Sequence, residues 1–71
     1  MALAERIRIL LVKQGNISEA ELARRIGSSP QNLNHKMKRD NFTEKDLTEI
    51  AAALNCDLDI RFISKDTGEV L

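Results

Sequence analysis

A chain of 71 residues with one cysteine and one histidine has room for a single domain, and neither a disulfide nor a Cys/His metal cluster can brace it. A domain of this size buries only about 60% of the surface its unfolded chain exposes, so its stability is thin and a partner subunit would help. A lone cysteine, an N-terminus without a signal-peptide pattern and no apolar run of membrane-spanning length give the expectation of a soluble cytoplasmic protein with no membrane partner.

The charges are unevenly spread. Up to Arg39 there are eight basic residues and three acidic ones; from Asp40 onward there are three basic and eight acidic. A basic half beside an acidic one points to an end that faces a polyanion.

In chain order, Leu3, Ile7, Leu10 and Leu11 fall at i, i+4, i+7 and i+8, the apolar stripe of an amphipathic helix. Gly15 and Asn16 end it, because both tolerate the left-handed conformation of a helix C-terminus. Ser18 and Glu21 read as a capping box for a second helix over about 19–26, with Ile17 and Leu22 as its hydrophobic staple. Leu22, Ala23 and Ile26 face inward, and Gly27 stops the helix. Ser29 as N-cap and Pro30 at the first helical position restart the chain as a third helix over about 30–38. Leu33 and Met37 face inward there, while Gln31, Asn32, Asn34, His35 and Lys38 lie on the other side. After the polar loop KRDN, Thr43 caps a fourth helix. Asp46 is the weaker capping-box partner, Phe42 and Leu47 form the staple, and Leu47, Ile50, Ala51 and Leu54 form the stripe.

The tail changes period. Leu58, Ile60 and Phe62 alternate with Asp59 and Arg61, the pattern of a half-buried strand over 58–63 ending at Ile63. SKDTG then reads as a turn and EVL as a short return strand. A lone strand leaves N–H and C=O groups unpaired. It must pair with EVL, with another strand of the same chain or with a second subunit, and pairing across a two-fold axis would give the expected homodimer through the strand from Leu58 to Ile63.

The spacing of Ala23, Gly27 and Leu33 has a physical rationale. A small residue allows close approach, a glycine four residues on turns the chain, and a leucine six further on anchors the next helix from beneath. The segment ISEAELARRIGSSPQNLNHKM resembles the helix-turn-helix of the Cro/lambda-repressor type, the XRE family. With the flanking first helix and NFTEKDLTEIAAALNC, the resemblance covers roughly residues 3–56. It implies a mainly α fold, a compact four- to five-helix lambda-repressor-like domain over 1–56, to which the reading above adds a short C-terminal β-strand or hairpin over 57–71.

The resemblance also implies sequence-specific binding of double-stranded DNA by a small transcriptional regulator, a repressor in the first instance. In this family the third helix lies in the major groove and the second braces on the backbone. Carried onto this chain, Ser29, Pro30, Gln31, Asn34 and His35 fall nearest base edges. Gln31, Asn32 and Asn34 have the amides that suit adenine. The helix start around Ser18 would meet phosphate. Lys36, Lys38 and Arg39 cluster at the end of the reading helix as candidate phosphate contacts. Three positions depart from the family pattern: Glu19 where glutamine is common, Pro30 where a reading side chain often sits, and Lys36 where an apolar residue is common. Glu19, Pro30 and the neutral net charge motivate the alternative, an antitoxin-like interaction module with weak DNA affinity. No cofactor or metal is implied. No catalytic residue is assigned, because Ser28 and Ser29 near His35 read as turn and cap. Cys56 reads as a small buried hydrophobe at a helix end, with Asp57 beside it disfavouring a thiolate.

Overall fold

The computed structural model describes residues 2–70. Four helices follow one another: α1 Leu3–Lys13, α2 Glu19–Arg25, α3 Pro30–Arg39 and α4 Glu44–Ala53. Their apolar stripes meet in one core of Ala4, Ile7, Leu11, Leu22, Ala23, Leu33, Met37, Ile50 and Leu54. Leu22, Leu33 and Leu54 are its largest fully buried side chains, each contributing roughly 1.5–3 kcal/mol through burial.

The turn between α2 and α3 is built from backbone hydrogen bonds. Ser28 N–H donates to the Ala23 carbonyl at 2.8 Å and Gly27 N–H to the Arg24 carbonyl at 3.2 Å. These are the two bonds of a Schellman ending, with Gly27 in the left-handed region at φ +71°. A methyl group at Gly27 would meet nothing within 4 Å, so the requirement there is conformational rather than steric. The end of α4 makes the same motif with asparagine: Asn55 has φ 56°, and Cys56 N–H donates to the Ala51 carbonyl at 2.8 Å.

The helix starts carry the expected caps, with one exchange of roles. The Ser18 and Ser29 hydroxyls accept from the Glu21 and Asn32 N–H groups at 3.0 and 3.1 Å. Only half of the expected Ser18–Glu21 box forms, because the Glu21 carboxylate instead binds Arg24 and Arg25 one turn on. The complete box is at α4. Thr43 Oγ1 accepts from Asp46 N–H at 3.1 Å, and Asp46 Oδ2 accepts from Thr43 N–H at 3.0 Å. The shorter aspartate cannot reach along its own helix surface as glutamate does, and it stays at the cap.

Two carboxylates tie helices together across the chain. The α1 N-cap, Ala2, offers no side-chain acceptor, and Asp40 supplies one from the end of α3, with Oδ1 2.7 Å from Ala4 N. Asp46 Oδ1 accepts from Lys36 Nζ at 2.6 Å, joining α3 to α4. The Lys36 ammonium first and the Thr43 N–H second hold the Asp46 carboxyl below its ordinary value, outweighing the opposing effect of burial.

The tail departs from expectation. Four helices and no fifth are present among the described residues, and residues 58–63 form no regular strand. The hairpin is reduced to one isolated antiparallel bridge, Ile63 to Val70, closed by Ser64 N–H donating to the Glu69 carbonyl at 2.8 Å. The expected return strand includes Leu71, which lies outside the described residues. A strand needs a neighbour for its ladder, and among the described residues no backbone hydrogen bond engages the N–H groups of residues 58–62. The alternating side chains are therefore present without the pairing that would define a strand. Cys56 is half-buried as a helix-end residue, its thiol donating to the Leu54 carbonyl at 3.3 Å.

Gly27→Ala should destabilise the fold by about 1 kcal/mol in urea unfolding. Gly27→Asn should cost clearly less, since Asn55 already adopts that conformation. Equal losses would contradict a purely conformational role. The depressed Asp46 carboxyl contributes stability above its unfolded value near pH 4, and that contribution disappears as pH falls through the lower folded value. Asp46→Asn should accordingly be less stable than the parent at pH 7 and lose less on acidification to pH 3. A parallel pair of stability–pH curves would exclude the linkage.

Candidate nucleic-acid interface

Helix α3 turns two different faces outward and inward. Leu33 and Met37, 1% and 2% exposed, fix its underside to the core. With 3.6 residues per turn, Gln31, Asn34, His35 and Lys38 then share the opposite stripe at i, i+3, i+4 and i+7. All four are exposed, as are Pro30, Asn32 and Arg39. Ser29 and Lys36 are half-buried: Ser29 because it caps the helix, Lys36 because it reaches to Asp46.

Among the described residues, the side chains of Gln31, Asn32, Asn34, His35, Lys38 and Arg39 make no hydrogen bond within the protein. A row of amides, an imidazole and two cations is thus held on a short, anchored helix with every polar group facing water. Such a row has donors and acceptors for a base edge, and cations for phosphate.

The remaining charges are sorted by their internal partners. Arg24 and Arg25 bind Glu21, and Arg25 also reaches the Ala53 carbonyl at 3.4 Å. Both ion pairs lie within α2 as surface pairs, each worth less than about 1 kcal/mol, and only the Arg25 contact to Ala53 reaches another helix. Glu19, whose carboxylate would repel phosphate, sits 3.6 Å from Arg8 of α1. That guanidinium offsets part of its charge. Ser18, exposed at the start of α2, already uses its hydroxyl oxygen as the cap.

Sequence reasoning missed three partners here: Arg8 for Glu19, Asp46 for Lys36, and Asp40 as the distant cap of α1. The signal for Asp46 was present, because a capping-box aspartate has one oxygen left for a neighbouring cation. The other two pairings depend on how helices cross. No group of three or more His, Cys, Asp or Glu residues is placed to hold a metal among the described residues, and no helix there is long and apolar enough to cross a membrane.

A model of the helix-turn-helix family matches residues 7–60, from the first helix to beyond the last. No curated protein and no solved structure matched the chain. The matched span includes α2, the Gly27 turn and α3, and exceeds half of the chain. The chain therefore belongs to the helix-turn-helix family of the Cro/lambda-repressor, or XRE, type, a family of DNA-binding regulators.

Proposed function

We propose that this protein is a sequence-specific double-stranded-DNA-binding regulator, acting as a repressor, with α3 in the major groove. The observation that carries this reading is the unengaged outward stripe of Gln31, Asn34, His35 and Lys38 above the buried Leu33 and Met37.

The roles divide by chemistry. Gln31, Asn32 and Asn34 have amides suited to the N6 and N7 edge of adenine. His35, opposite the buried face, donates to a base acceptor or a phosphate. Lys38 and Arg39 neutralise phosphates at the far end. Ser18, Ser29 and Pro30 set the backbone positions from which the contacts are made. Lys36 contributes less to DNA than its position suggests, because its ammonium is committed to Asp46. The protein acts as a homodimer, which presents two α3 helices to a two-fold symmetric operator. Exposed Leu58, Ile60 and Phe62 favour the tail as the joining surface.

Selection of bound sequences from a random duplex pool identifies the operator. On that operator, affinity should fall steeply between low and moderate salt, as counterion release requires. Gln31→Ala should cost roughly 1–3 kcal/mol and relax preference at one base pair. Lys38→Ala should weaken all sequences alike and lower the salt slope by about one. Lys36→Ala should change DNA affinity less than Lys38→Ala while lowering thermal stability. A module that binds only proteins would show no salt-sensitive DNA binding at any salt concentration.

A further inference from the structure

The last turn of α3 carries three cations, Lys36, Lys38 and Arg39. Lys36 shares one flank of the helix with Asn32 and Arg39, at i, i+4 and i+7, and both of those neighbours are exposed. Lys36 is turned aside from them, with Nζ 2.6 Å from Asp46 Oδ1 on α4. Asp46 is the more firmly held of the two. Its Oδ2 accepts from Thr43 N–H at 3.0 Å, and its own N–H donates to Thr43 Oγ1 at 3.1 Å. The carboxylate is thereby fixed in the capping box of α4.

We propose that Asp46 is an affinity-limiting residue for DNA: it stands in for a phosphate at Lys36 and keeps that cation out of the backbone contact. This deepens the reading of α3 as the DNA-binding helix and rests on it. The Asp46 side chain is 18% exposed, against 43% for Lys36. The lysine has a flexible stem on which to swing away, and the capped aspartate cannot follow. Departure of the ammonium toward a DNA phosphate would strand a half-buried carboxylate without its cation, beside the same polyanion. The pair is intact where binding is measured, because Lys36 keeps the Asp46 carboxyl below its ordinary value and so ionised near neutrality.

Each phosphate that a protein neutralises adds affinity for every sequence alike. Holding back one of three clustered cations therefore shortens the stay on random duplex. The discrimination made by Gln31, Asn32 and Asn34 is untouched, because those amides do not take part in the Lys36–Asp46 pair.

The test is Asp46→Asn in the full chain, at a temperature where circular dichroism shows it folded. Asparagine keeps an acceptor for the Thr43 N–H and removes the charge that holds Lys36. Affinity for a random-sequence duplex should rise by about tenfold at roughly 50 mM salt, and that gain should shrink about threefold by roughly 200 mM, as one added phosphate contact requires. The gain on a selected operator should be of the same size. Adding Lys36→Ala to Asp46→Asn should abolish it. Glu44→Gln removes a carboxylate from the same turn of α4 and frees no cation, so it should leave the salt slope unchanged. Without DNA, an acylating reagent should modify Lys36 more slowly than Lys38 in the wild type and at a similar rate in Asp46→Asn. Equal wild-type rates overturn the inference at the pair itself. Wild-type binding with no gain in Asp46→Asn, or a gain that survives Lys36→Ala, is matched by Glu44→Gln or is confined to the operator, overturns it alone. A wild type that binds no duplex at low salt overturns the DNA reading and this inference together.

Discussion

The burial of Leu33 beneath α3, in one core with Leu22 and Ala23 of the neighbouring helix, is the constraint on which the rest depends. Ala23 is wholly buried, and a larger side chain there would overfill the core at a cost of typically 1–3 kcal/mol. Close approach at Ala23 and the Schellman turn at Gly27 let α3 leave at once in a new direction. Leu33 and Met37 then set its rotation. Once that rotation is fixed, no further choice remains about which residues face water: Gln31, Asn34, His35 and Lys38 follow from helical geometry alone.

Electrostatics then sorts residues that composition cannot distinguish. The chain is neutral, yet its basic half is not uniformly available. Arg8, Arg24, Arg25 and Lys36 are paired within the protein, and Lys38 and Arg39 at the end of α3 are unpaired among the described residues. The cations near the candidate interface therefore separate into those engaged by carboxylates of the protein and those presented outward. Glu19, a carboxylate that argues against phosphate, is the partner of one of the first group, Arg8.

Much of this fold was legible in the sequence because local rules dominate it. The caps at Ser18, Ser29 and Thr43, the left-handed Gly27, and the inward Leu22, Leu33 and Leu54 each follow from neighbours within four residues. What was not legible depended on long range. Asp40 capping α1 spans 36 positions, and Lys36 meets Asp46 only after α3 and α4 have packed. The complete capping box is at Thr43–Asp46 rather than Ser18–Glu21, because Arg24 and Arg25 compete with the cap for the Glu21 carboxylate. The tail shows the limit of periodicity most clearly. Alternation at Leu58, Ile60 and Phe62 records a preference for one buried face, but a strand exists only with a partner for its backbone, and within one chain that partner amounts to the Ile63–Val70 bridge. The outward residues of α3 were placed correctly on the helix, since periodicity suffices for that.

The central claim is that the outward stripe of α3 is the surface that meets DNA. The most direct measurement is an NMR titration of the labelled protein with a selected duplex at low salt, following the backbone amides and the side-chain amides of Gln31, Asn32 and Asn34. The account predicts the largest changes along residues 29–39, centred on Gln31, Asn34, His35 and Lys38, with smaller ones at the start of α2. Changes confined to residues 58–62, or a spectrum unmoved by any selected duplex, would contradict it.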